Sequence, residues 1–365
     1  MNITIHFLKK ILATHKRRYF SGFSWALLSI ALVQSHSVQA QDPQFSQFYS
    51  APLYLNPGFA GSTQQGRAGL NYRNQWPSVD NANFVTMSAY VDYFLEDFNS
   101  GIGLLVTADR QGPGGLRSNS VSLQYAYQVN LTKNLTFRPG IEVGYVFRDI
   151  DYSSFVFGDQ YDPTNPDPNQ GIPSSGEGVG NETLGYADLA MGGILYSKNF
   201  WVGVAAHHLT TPNQSFYDDG ISDLPRKFSA HAGYRFNLKP VSTKRGYNLT
   251  VRERSITPSV LYKMQGDFDQ VDAGLYYTHE PLVVGVWYRG LPFKPLEGIN
   301  NHESMIFLLG FTKNNLNVGY SFDYTISKLG IDSGGAHEVS ISYEFSLADP
   351  RKPPRNVRRI PCPKF

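Results

Sequence analysis

Cysteine is almost absent from this chain: the single one, Cys362, stands three residues from the C-terminus, so no intramolecular disulfide can form and none follows the leader to take a lipid anchor. Charge is thin and nearly balanced, with 32 basic against 30 acidic side chains, which excludes the strong basic field of a general nucleic-acid binder. No Gly-x-Ser-x-Gly elbow, His-Glu-x-x-His pair, P-loop or Cys-x-x-Cys occurs. The residues therefore offer no catalytic constellation, no cofactor cradle and no metal-ligand set. Beyond the first forty residues there is also no apolar run long enough for a membrane-spanning helix.

What is present begins with a leader. Lys9, Lys10, Lys16, Arg17 and Arg18 precede an apolar stretch from Phe20 to Val33, and Val38-Gln39-Ala40 has the small residues of a cleavage site. Residues 1–40 are read as a signal peptide, with a mature chain from Gln41. An uncleaved anchor helix is the competing reading, but the run is short and broken by Ser21, Ser24 and Ser29. Cleavage takes the formal net charge from +2 to −3, because the leader holds five cations and no acid.

After the leader, apolar and polar residues alternate. From Glu338 to Phe345, Val339, Ile341, Tyr343 and Phe345 fall on one strand face, and Glu338, Ser340, Ser342 and Glu344 on the other. Val121, Leu123, Tyr125 and Tyr127 oppose Ser120, Ser122, Gln124 and Gln128; Phe137, Ile141, Val143 and Tyr145 oppose Arg138, Glu142 and Gly144. Two-faced segments of about nine or ten residues indicate an all-β protein, a transmembrane antiparallel β-barrel. Its mean hydropathy stays polar because every lipid-facing residue alternates with a lumen-facing one. A soluble β-sandwich also alternates, but with strands of about five or six residues.

Fourteen strands are predicted, near 66–76, 82–94, 101–110, 117–128, 135–147, 184–197, 200–208, 226–237, 255–264, 270–279, 282–289, 304–312, 316–324 and 337–345. The barrel thus occupies 66–345, and an even count puts both of its ends on one side. With the termini periplasmic, Lys198-Asn199, Glu280-Pro281 and Lys313-Asn314-Asn315 are periplasmic turns, while 148–183, 209–225, 290–303 and 325–336 are long extracellular loops. The basic link 238–254, with Lys239, Lys244, Arg245, Arg252 and Arg254, departs from this pattern. It is either a docking element or an earlier start of the ninth strand.

Other candidate chemistry is sparse. The 149–182 loop is rich in proline and glycine and lacks EF-hand spacing, so no calcium site is assigned. His207 and His208 are adjacent on a strand and point to opposite faces, which suits a structural role better than a shared metal. Asp92 and Glu96 read as ordinary strand-end carboxylates. The expected lumen charges, Arg67, Arg73, Arg138, Glu142, Lys227, Arg235, Asp272, Asp323, Glu338 and Glu344, are mixed in sign. Internal ion pairs that brace a barrel, or a selectivity filter, are the two readings.

The ends of the mature chain are more distinctive. Residues 41–65 carry Phe45, Phe48, Tyr49, Leu53, Tyr54, Leu55 and Phe59, an apolar cluster expected to plug the lumen or cap its periplasmic mouth. Residues 346–365 form a basic tail held extended by Pro350, Pro353, Pro354, Pro361 and Pro363. This tail is either disordered or docks on a periplasmic partner through Arg351, Lys352, Arg355, Arg358 and Arg359 and its apolar end, Ile360, Cys362 and Phe365.

The opening Asp42-Pro-Gln-Phe-Ser-Gln-Phe-Tyr49, then Pro52-Leu-Tyr-Leu-Asn-Pro-Gly-Phe-Ala-Gly61 and the strand Tyr72-Arg-Asn-Gln-Trp76, resembles the PorP/SprF family of the Bacteroidetes type IX secretion system, over essentially the whole mature chain. The resemblance implies an outer-membrane barrel that is not an enzyme and needs no cofactor. It also implies contact with the periplasmic ring components, a PorK/GldK-like lipoprotein and a PorN/GldN-like protein. The cargo it implies is a large protein with a type B C-terminal domain, such as a gliding adhesin, to be secreted or anchored at the cell surface. A passive diffusion porin or small-solute channel is the alternative function.

Overall fold

The computed structural model describes residues 42–80, 84–112, 115–151, 182–218, 220–245, 248–291, 302–346 and 359–363. The leader, most of the 149–182 loop, and Arg351, Lys352, Arg355, Arg358 and Phe365 of the tail lie outside the described residues. The chain divides after Asp42, and the fold below is that of Pro43–Phe365.

Alternating sequence becomes fourteen long strands: β1 (Gly66–Gln75), β2 (Phe84–Leu95), β3 (Ser100–Gln111), β4 (Leu116–Tyr127), β5 (Thr136–Asp149), β6 (Thr183–Tyr196), β7 (Phe200–His207), β8 (Lys227–Tyr234), β9 (Arg254–Gln265), β10 (Phe268–His279), β11 (Leu282–Gly290), β12 (His302–Lys313), β13 (Leu316–Thr325) and β14 (Ala336–Phe345). Each pairs antiparallel with its sequence neighbours. β1 also pairs with β14, Leu70 opposite Ile341, so the sheet closes on itself and leaves no edge. Two strands break and resume: Val129–Asn130 carries β4 onward along β5, and Phe236–Asn237 carries β8 onward along β9. Between β12 and β13 the turn is closed by Asn314 at φ 56°, a left-handed position that asparagine tolerates.

The 238–254 link corrects one expectation. β9 starts at Arg254 rather than earlier, and Val241–Arg245 pairs with Asn248–Arg252 in a separate two-stranded hairpin. The β-branched Val241, Thr243, Thr250 and Val251 favour that extended backbone.

Sidedness is the reverse of a soluble protein. Leu123 is 65% exposed, whereas Arg138, Asp272, Arg289 and Glu338 are wholly buried. The outward face is a band of Leu, Val, Ile and Met. Tyr125, Tyr127, Phe137, Tyr234 and Tyr343 edge it toward the end where the strand series begins, and Tyr72, Phe147, Phe228, Tyr262 and Tyr324 edge it toward the other. An apolar band between two aromatic belts is the surface a bilayer requires. In water each exposed side chain of this size would forgo about 1.5–3 kcal/mol of burial.

Candidate functional site: the filled lumen

Ahead of β1 the chain makes a four-residue helix, Pro52–Leu55, and a three-residue helical turn, Pro57–Phe59. Proline at the first position of each sets φ where no N–H is needed. Phe45, Phe48, Tyr49, Leu53, Leu55 and Phe59 are each less than 8% exposed, and Tyr54 is half-buried. They are buried against inward-facing side chains from almost every strand, so residues 43–65 lie within the ring.

Polar groups fix this segment at three places. At the first, Glu338 of β14 accepts hydrogen bonds from the backbone N–H groups of Ser46 at 2.7 Å and Gln47 at 3.0 Å. The Ser46 hydroxyl donates to Asp323 at 2.6 Å and accepts from Arg73 at 2.7 Å and Arg289 at 3.0 Å. Those guanidiniums bind the surrounding carboxylates: Arg73 to Asp323 at 2.8 Å, and Arg289 to Asp272 at 2.6 Å and Asp323 at 3.1 Å. Lys263 donates to Gln44 at 2.6 Å and pairs with Asp272 at 3.2 Å. Charges so deeply buried persist only when paired and hydrogen-bonded, and here the segment supplies part of that satisfaction.

At the second, Asp92 of β2 accepts from Gly61 N–H at 2.7 Å and grips Arg67 through two bonds at 2.9 and 3.0 Å. Arg138 donates to the Gly58 carbonyl at 3.2 Å and to the Ala60 carbonyl. Asn56 accepts from Gly58 N–H at 2.9 Å and donates to the Val204 carbonyl at 2.9 Å. The wall makes room with glycine: a Cβ on Gly140 would stand 2.5 Å from Gly58 N, and one on Gly101 or Gly192 would meet the Ala60 carbonyl or the Asn56 side chain. In a strand, glycine marks such close backbone approach.

At the third, the wall is aromatic. Trp201 donates to the Tyr49 hydroxyl at 2.9 Å, Phe48 meets Trp287 edge-on at 5.0 Å, and Phe59 stacks on His231 at 5.6 Å. Burial pushes the Tyr49 hydroxyl well above its ordinary titration range, so it stays neutral.

Several sequence expectations are placed differently. Asp92 is a lumen clamp rather than a strand-end carboxylate, because the strand runs on through Leu95 and its alternation turns Asp92 inward. Arg235 leaves the lumen set: it interrupts β8 and pairs with the exposed Glu253 at 2.5 Å. Arg289, Lys263 and the aromatic wall were not foreseen as lumen features, although inward parity with Trp287 pointed to Arg289. His208 binds Asp188 at 2.6 Å. Among the described residues no three His, Cys, Asp or Glu side chains stand together as metal ligands.

The tail holds a further change. Arg359 pairs with Glu344 at 3.4 Å, but Ile360 is 5% exposed and belongs to the same buried cluster as Phe48 and Tyr49, with Cys362 packed against it. Of the apolar end, Ile360 is buried among the aromatic residues and Cys362 packs against them, while Phe365 lies outside the described residues.

A closed barrel, apolar outside and packed with polar and aromatic groups inside, is an outer-membrane β-barrel. The chain belongs to the Type IX secretion system membrane protein PorP/SprF family, which it matches over residues 37–343. No curated protein matches it. Among solved structures it is similar to an engineered double mutant of the Rh. blastica porin, at 10% identity over 77% of this chain and 98% of that one, with a TM-score of 0.32. It is also similar to the P. putida toluene transporter TodX, at 10% identity over 81% of this chain and 94% of that one, with a TM-score of 0.41.

Proposed function

We propose that this barrel is a non-enzymatic interaction component of the type IX secretion system rather than a solute channel. It holds its termini in the periplasm and its long loops outside. In this role residues 43–65 are a plug, the periplasmic face meets the ring components, a PorK/GldK-like lipoprotein and a PorN/GldN-like protein, and the extracellular loops retain a cargo that ends in a type B C-terminal domain. Secretion or surface anchoring of that cargo is the outcome.

The observation that carries this reading is the clamped segment in the lumen. A diffusion pore needs an open aqueous path, whereas here Glu338, Asp92 and Arg138 spend buried charge on holding the chain's own backbone. The basic residues Arg351, Lys352, Arg355, Arg358 and Arg359 are the tail's charged partner-binding candidates, with the apolar end at Ile360, Cys362 and Phe365. Copurification of the tagged barrel from native outer membranes tests the proposal: the two ring components and one large secreted protein should be retained at stoichiometric levels. A barrel that comes away alone, from cells whose surface proteins are unchanged by its loss, contradicts it.

A further inference from the structure

The two chain ends occupy the lumen in different ways. Residues 44–61 are held by buried charge and by backbone hydrogen bonds from both plug and wall. Residues 359–363 re-enter with Ile360, Pro361 and Pro363 buried, and Pro361 and Pro363 have no N–H to give to a strand. Arg359 pairs with Glu344 at 3.4 Å near the end of β14, with its side chain exposed. Cys362 packs against the buried cluster that contains Phe48, Tyr49, Trp201 and Tyr276, which sets it beside the aromatic wall.

We propose that the plug and the aromatic wall together form a lumenal binding site for an extended, proline-flanked apolar peptide, and that the chain's own C-terminal segment, Arg359–Pro363, is its resident, exchangeable ligand. The site rests on residues 43–65 being a plug, as proposed above, since Phe48 and Tyr49 make one side of it. Its ligand class follows from what is buried: one branched aliphatic side chain and two prolines, with a small thiol half-buried between the prolines and a cation left at the mouth. Apolar burial without ladder hydrogen bonds is reversible, and an extended segment with few backbone donors loses little when it leaves.

Cys362 is the only cysteine, so the wild-type chain carries its own reporter. In native outer membranes its maleimide labelling should be at least about tenfold slower than in the denatured chain, because a half-buried thiol packed against the aromatic cluster reacts mainly through local opening. Ile360→Asp should bring labelling to within about threefold of the denatured rate. A synthetic peptide of residues 358–365 with Ser in place of Cys362 should accelerate wild-type labelling, and a scrambled peptide should not. Wild-type labelling as fast as in the denatured chain overturns the proposal, as do slow labelling in Ile360→Asp and equal effects of the two peptides. Single-channel recording of Ile360→Asp separates this from the plug reading: a barrel that stays silent while Cys362 is released leaves the plug intact.

Discussion

Glu338→Ala isolates the strongest tie on the plug. The carboxylate accepts the Ser46 and Gln47 amides at 2.7 and 3.0 Å, while Arg73, its ion-pair partner at 3.4 Å, keeps Asp323 at 2.8 Å after the substitution. A hydrogen bond to a charged group contributes about 1.5–3 kcal/mol, so two lost bonds weaken retention of the plug by about 3–5 kcal/mol once some rehydration of the freed amides is allowed. At about 1.4 kcal/mol per decade, the ratio of open to closed barrel rises by roughly two to three and a half orders of magnitude. Glu338→Gln keeps one acceptor and loses the charge, so its rise should be about half as many decades. The assay is single-channel recording in planar bilayers, with heat-modifiable gel mobility confirming a folded barrel. Ser342→Ala, whose hydroxyl accepts from Asn317 at 3.1 Å, is the lumen control and should stay silent. A folded Glu338→Ala barrel as quiet as wild type would refute the reasoning.

Gly140→Val should expel the short turn at Pro57–Phe59 while leaving β5 paired, because the added side chain meets plug backbone rather than a flexible tip; limited proteolysis should then cleave within residues 43–65. Arg at Leu123 or Val143 should destabilise the reconstituted barrel by about 2–4 kcal/mol in urea titrations if the site lies near the midplane, with a smaller effect for Tyr343→Arg in the aromatic belt. Equal losses at all three positions would contradict the depth assignment. Deleting 241–252 should leave heat-modifiable mobility unchanged, since among the described residues the two strands of that hairpin pair with each other and not with a barrel strand. Loss of the folded band would show that it is part of the barrel.

The barrel was legible in the sequence because its strands obey a period of two that nothing tertiary overrides. In β14, Glu338, Ser340, Ser342 and Glu344 read as inward and are buried, and Val339, Ile341 and Tyr343 read as outward and are exposed. The fourteen predicted strands agree with those observed to within a few residues at each end. The interior was less legible, because parity says which side chains face inward and not what they meet there. Ser340 is inward by parity alone, and its hydroxyl donates to Gln47 at 2.7 Å, so Arg at that position would displace the N-terminal segment. Trp201, Trp287 and Tyr276 broke the polar-lumen rule because the plug gives them an apolar surface to pack on. The hairpin at 241–252 was hidden by its length, which fits either a loop or a strand extension. Ile360 and Cys362 read as the apolar end of a basic tail, and their burial beside the aromatic cluster had no parity signal because they lie outside any strand.

Closure of the lumen by the chain's own N-terminal segment is what separates the proposed role from that of a diffusion channel. Planar-bilayer recording of the mature wild-type barrel beside a variant lacking residues 41–61 tests it most directly. Wild type should be silent or open only rarely, and the deletion should conduct steadily. A large, stable wild-type conductance that the deletion leaves unchanged would contradict it and make the protein a diffusion channel.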